Sequence, residues 1–190
     1  MTDTQPTGLP EEAVSASLMA VVNKRVAANA VPGSNAYSGW LAAIRSAITP
    51  TGEAMAIAQA APWLRGMGDR RRSAELRAAA IRAINKDVRQ AASGTYLPLG
   101  RSFARLDRIE GGGSIAQQVA VLPLLNVDGA ALVLNGLIGR CGEHGVPVNF
   151  FNLADVLVRW GKQSSAAAAR GRTQIVLDFH LSGDSPSPTA

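Results

Sequence analysis

An all-α fold is predicted by three features of the sequence. Hydrophobic residues make up 47% of the 190 residues, enough for a real core. Aromatics are only 5%, while alanine runs through segments such as 78–80 and 166–169. Alanine is the best helix former and a poor strand former. Apolar residues also recur at the 3.6-residue helical period in one segment after another.

Residues 1–12 are polar and acidic, with Pro6 and Pro10, and are expected to form a disordered tail. They lack the basic start and apolar stretch of a secretory signal. Val14, Leu18, Val21 and Val22 predict a first helix over 11–30, followed by a turn at 31–35. Trp40, Leu41, Ile44 and Ile48 mark a second helix ending before Thr49. A third opens at Pro50 and stops before Pro62. The spacing of Leu76, Ala80, Ile84 and Val88 predicts a fourth helix over 70–92, with Ser93-Gly94 as its C-cap. A fifth covers 97–109, with Phe103, Leu106 and Ile109 on its inner side.

Three consecutive glycines, 111–113, would be costly inside a helix. They place a boundary between an N-terminal bundle, 13–110, and a C-terminal bundle, 115–181. Beyond them, 115–125 reads as helical. Asn126 is a candidate cap for a helix over 130–141 that packs through Leu132, Leu134, Leu137 and Ile138. A helix starting near Asn152 buries Val156, Leu157 and Trp160, with Asp155 in its first turn, where an acid suits the dipole. Gly161 to Gly171 reads as a loop. Residues 172–181 contain Ile175-Val176-Leu177, which suits a strand, but no other segment offers a sheet partner, so helix is expected. Residues 182–190 form a Pro/Ser tail.

Charge is distributed unevenly. The whole chain carries +5, but the span from Arg65 to Arg108 carries eleven basic and four acidic residues, a net +7. Sixteen of the nineteen basic residues are arginine, whose planar fork suits phosphate. Arg82, Lys86 and Arg89 fall on the face of the fourth helix opposite its apolar stripe. Arg101, Arg105 and Arg108 repeat the pattern on the fifth. Two such stripes suit a polyanion partner as well as a merely solvated surface.

Catalytic and metal sites have no candidates. The only histidines are His144 and His180. Cys141 and His144 have C-x-x-H spacing, but a zinc site needs about four ligands and no second pair exists. No zincin, Walker A or nucleophile-elbow motif is present, and the acids are scattered. The expectation is no enzyme, no metal and no cofactor. A single cysteine fits a reducing cytoplasm, and no apolar run is long enough for a membrane span. Trp63, Phe103 and Trp160 can stack on bases, though such residues are more often core.

The C-terminal third resembles the small subunit of the type I-E CRISPR Cascade surveillance complex, the CasB family. The resemblance rests on four pieces in order. They are the leucine-rich helix from Leu132 to Arg140, the turn Gly145-Val146-Pro147-Val148, the segment Leu153-Ala154-Asp155-Val156-Leu157-Val158-Arg159-Trp160, and Asp178-Phe179-His180 after Arg170-Gly171-Arg172. Trp40 to Arg45 and Leu99 to Leu106 add weaker matches, so the likeness spans about 40–180. The chain departs from the family at Ser46, where a second arginine is usual. It also departs at Ala116-Gln117-Gln118-Val119, where the family is basic, and in lacking a tryptophan before Asp178.

The resemblance implies two small helical bundles packed together, forming a non-catalytic subunit that braces the guide RNA–target DNA duplex and the displaced DNA strand. Other Cascade subunits and a second copy of the chain would be its partners. It assigns phosphate contacts to Arg45, Arg101, Arg105, Arg140 and Arg172. The stripes add Arg82, Lys86, Arg89 and Arg108. Trp160, Asp155, Asp178 and Phe179 are assigned to structure. A generic helical nucleic-acid-binding protein, or an adaptor whose basic face meets acidic protein, remain the alternatives.

Overall fold

The computed structural model describes residues 17–92, 95–160 and 166–182. The expected tails at 1–12 and beyond 182, and the Ser93-Gly94 cap, lie outside the described residues. Nine α-helices account for the described fold: α1 (Leu18–Asn29), α2 (Ser38–Ser46), α3 (Glu53–Leu64), α4 (Asp69–Ile84), α5 (Leu99–Glu110), α6 (Ser114–Val121), α7 (Val127–Glu143), α8 (Phe150–Trp160) and α9 (Ala166–Leu181). Short 3-10 turns precede α3 and follow α6. Among the described residues the only β pairing is one isolated parallel bridge, Gln90 to Val148. The fold is all-α.

Several starts and stops follow local chemistry. The Ser17 hydroxyl caps α1 by accepting from the Ala20 N–H at 3.3 Å. Asn126 caps α7 through the Gly129 N–H at 2.8 Å, as its sequence suggests. Gly111, Gly112 and Gly113 all have positive φ (66°, 81° and 72°), a left-handed run that suits only glycine and turns α5 into α6.

Two hydrophobic clusters form the interior, and α4 serves both. The first packs Leu18, Val22, Leu41, Ile44, Trp63 and Leu76 between α1, α2, α3 and α4. The second gathers Ile81 of α4 with Phe103, Leu106, Leu134, Phe150, Leu157 and Phe179 from the helices that follow. The inner side chains of α5 thus share their core with α6 to α9. The change of core falls along α4, upstream of the glycine run.

Five expectations are corrected. The fourth helix stops at Ile84 rather than 92. Pro62 lies inside α3, two residues before its end. α9 begins at Ala166, inside the expected Gly161–Gly171 loop, of which 161–165 lie outside the described residues. Ile109 and Leu132 are exposed, not inward. α8 starts at Phe150, so Asp155 falls beyond its first turn and away from the positive end of the dipole. The ambiguous segment 172–181 is helical and buries Ile175 and Phe179.

The crossing of α5 and α9 depends on Gly100. A methyl group there would stand 2.3 Å from the Ile175 carbonyl oxygen and 2.6 Å from the Phe179 nitrogen, both backbone atoms. Gly100→Ala should therefore lower stability by about 2 kcal/mol, although alanine alone favours helix. Thermal denaturation should show a midpoint lower by about 6 °C. An unchanged midpoint would mean the helices separate without penalty.

Candidate nucleic-acid interface

α4 leaves its helical path at Asn85, and Arg82 folds back to satisfy carbonyls beyond the break. Its Nη1 donates to the oxygens of Asn85 (2.8 Å), Lys86 (3.3 Å) and Val88 (3.1 Å). Its Nε donates to Asn23 Oδ1 at 2.7 Å, and the guanidinium lies 4.5 Å from the Phe150 ring centroid. Burial lowers its pKa to about 10, so it stays charged at neutral pH. Arg82 is only 6% exposed. The expectation that it faces solvent beside Lys86 and Arg89 is not met; it is an internal staple.

The extended residues after α4 run against the turn between α7 and α8. The Val148 N–H donates to the Arg89 carbonyl at 3.0 Å, and the Ala91 N–H donates to the Val148 carbonyl at 2.9 Å. From the other side, the Ser102 hydroxyl of α5 donates to the Pro147 carbonyl at 2.9 Å. Three segments distant in sequence therefore meet at Pro147-Val148. Their meeting brings Arg89, Arg101 and Arg105 to the wall of one cleft of about 570 Å³, with Tyr96 at its rim. No acidic side chain lines this cleft among the described residues. None of the three arginines forms an ion pair there either. Tyr96 is 73% exposed, and the Arg101 guanidinium is 6.0 Å from its ring centroid. Unpaired, exposed guanidinium groups around an open cleft make a site for successive phosphates.

The remaining candidates are placed differently. Arg108 is exposed on α5, one turn beyond Arg105. Lys86 is exposed, 3.8 Å from Asp87. Arg45 is exposed on α2 and Arg172 is half-buried on α9; neither lines the cleft. Arg140 is committed. Its Nε donates to Glu110 at 3.0 Å, Nη2 bonds the other Glu110 oxygen, and Nη2 also reaches the Ser114 hydroxyl at 3.2 Å. That pair ties α7 across the triglycine turn. The hydrogen bonds from Arg140 hold the Glu110 carboxyl below its ordinary range.

A second arginine is buried as well. Arg77 of α4, 1% exposed, contacts Glu53 at 2.7 Å, Asp128 at 3.0 Å and the Ala47 carbonyl at 2.5 Å. Part of the positive charge counted along the sequence is thus spent inside the fold. Trp63, Phe103 and Trp160, weighed as stacking residues, are all buried. Trp160 donates its indole N–H to the Leu125 carbonyl at 3.0 Å. The exposed aromatic at the cleft is Tyr96, which no periodicity singles out; its one sequence signal is a lone ring between two arginine segments. Burial pushes the Cys141 thiol up to about 12, which leaves it unreactive at neutral pH. No group of three His, Cys, Asp or Glu side chains poised for a metal occurs among the described residues, and no described helix is long and apolar enough to cross a membrane.

The model of the CRISPR-associated protein Cse2 family matches residues 40–180, about three quarters of the chain. The chain belongs to this family. It is thus a small subunit of type I-E Cascade, a CRISPR complex that it shares with other subunits. None of the curated proteins and none of the solved structures compared with it matches. The Cse2 match runs from α2 to α9 and takes in every residue of the arginine cleft. It leaves out α1, although Leu18, Val22 and Val26 of that helix are core.

Proposed function

We propose that this Cse2 chain is a non-catalytic, cytoplasmic subunit that holds the displaced DNA strand of an R-loop through phosphate contacts. The observation that carries this reading is the convergence of Arg89, Arg101 and Arg105, from two separate segments, on one cleft without acids. Arg108 extends the positive line along α5. Arginines that neutralise backbone phosphates read no sequence, so specificity stays with base pairing between guide RNA and target DNA. A strand held in the cleft is slow to reanneal, which favours the guide RNA–target duplex. A second copy, placed end to end with the first, would lengthen the path.

The test is the lifetime of an R-loop formed by assembled type I-E Cascade, measured by the return of the displaced strand to duplex after excess competitor is added. Complexes carrying Arg101→Glu/Arg105→Glu should lose their R-loops at least tenfold faster than those with the unaltered chain. Equal lifetimes at equal subunit occupancy would overturn the proposal.

A further inference from the structure

A second cleft, of about 300 Å³, adjoins the arginine cleft, and Tyr96 lines both. Its chemistry is different. Phe151, 45% exposed at the start of α8, joins Tyr96 in lining it, and both leave large apolar faces in water. Asp155, Asp178 and Arg159 also line it; Arg159 pairs with Asp155 at 3.9 Å, which leaves one net negative charge and disfavours a phosphate. Asn149 accepts from the backbone N–H groups of Phe151 and Asn152, both at 3.1 Å, and Asn152 accepts from the Leu99 N–H at 3.1 Å. With their oxygens engaged, these amides offer N–H donors. Aromatic faces, amide donors and carboxylate acceptors side by side match the π-face and polar edge of a nucleobase.

We infer that this second cleft is a base-binding subsite for single-stranded nucleic acid, in which an unpaired base lies against Tyr96 and Phe151 while its flanking phosphates follow Arg89, Arg101 and Arg105. The inference rests on the proposed phosphate path and adds to it a requirement for unstacked bases. A duplex keeps its bases stacked and paired and cannot fill the subsite, so the site selects single strands. Asp155 is paired with Arg159 and Asp178 accepts from the Gln174 amide at 2.9 Å, so the asparagine amides set the preference and favour bases with ring carbonyls, thymine among them.

The test compares the full chain's affinity for an oligothymidine of about twelve nucleotides with that for an abasic strand of equal length and charge. The unaltered chain should bind oligothymidine about 5- to 150-fold more tightly, the range expected of one stacked base. Tyr96→Ala and Phe151→Ala should each bring oligothymidine close to the abasic level, with Tyr96→Phe retaining the preference. Equal affinity of the unaltered chain for both strands, with steep salt dependence, would overturn the subsite and leave the phosphate path standing. A preference that survives both alanine variants would also overturn it, because the base would then be held elsewhere. Failure of either strand to bind at low salt would overturn the phosphate path and the subsite together.

Discussion

Replacing Arg101 and Arg105 with glutamate should reduce affinity for single-stranded DNA by about 100-fold at moderate salt. Each guanidinium is exposed, unpaired and on the same wall of the cleft. A charge-assisted hydrogen bond contributes about 1.5 kcal/mol or more, and two lost together amount to about 3 kcal/mol, or two orders of magnitude. The fold should be unaffected, because neither side chain joins the core on the inner face of α5. Fluorescence anisotropy with a labelled strand, paired with a helical circular dichroism spectrum, reads both parts. Wild-type affinity in a folded variant would remove these two residues from any binding site.

Arg77→Met should act in the opposite way, lowering stability and sparing the binding surface. Arg77 joins α4 to α3 through Glu53, to α7 through Asp128 and to the end of α2 through the Ala47 carbonyl. Methionine fills similar space but leaves the Ala47 oxygen and two carboxylates without their donor. Breaking a buried pair typically costs 3–5 kcal/mol; Asp128 is partly exposed and can rehydrate, which places the loss near about 3 kcal/mol. The thermal midpoint should fall by about 9 °C. Arg77→Lys should recover little of it, because a single ammonium cannot span three acceptors in a fixed fork. A shift of under 2 °C would show that water replaces the arginine at little cost.

The contrast between these two sites marks what the sequence conveys. Helical periodicity located α7 and α8, because each has one buried face and one wet one, and Asn126 announced the start of α7. Periodicity failed on α4, where every residue from Leu76 to Ala83 is buried. Over that stretch the helix has no polar face, so Arg82, which its spacing places on a solvated stripe, and Arg77 are both internal hydrogen-bonding hubs. The alanines among them let the neighbouring helices close in. Nor does any local pattern foretell that residues 85–92 leave the helix, since what holds them is one arginine folding back on three carbonyls and the backbone bonds to Val148.

The cleft itself was half legible. Arg101 and Arg105 follow from the amphipathic pattern of α5. Arg89 was singled out for a helical stripe that does not exist; it reaches the same place through the backbone bonds between residues 89–91 and Val148. Tyr96 and Phe151 carry no periodic signal, and their exposure depends on how distant segments meet.

The most direct test of the account is the affinity of the unaltered chain for random single-stranded DNA across a salt series. Neutralisation of three or four phosphates predicts that log K falls with log salt at a slope of about −2 to −3. The Arg101→Glu/Arg105→Glu variant should then be shallower by about 1.4 or more. A slope near zero, or the same slope in both proteins, would contradict a phosphate path through this cleft.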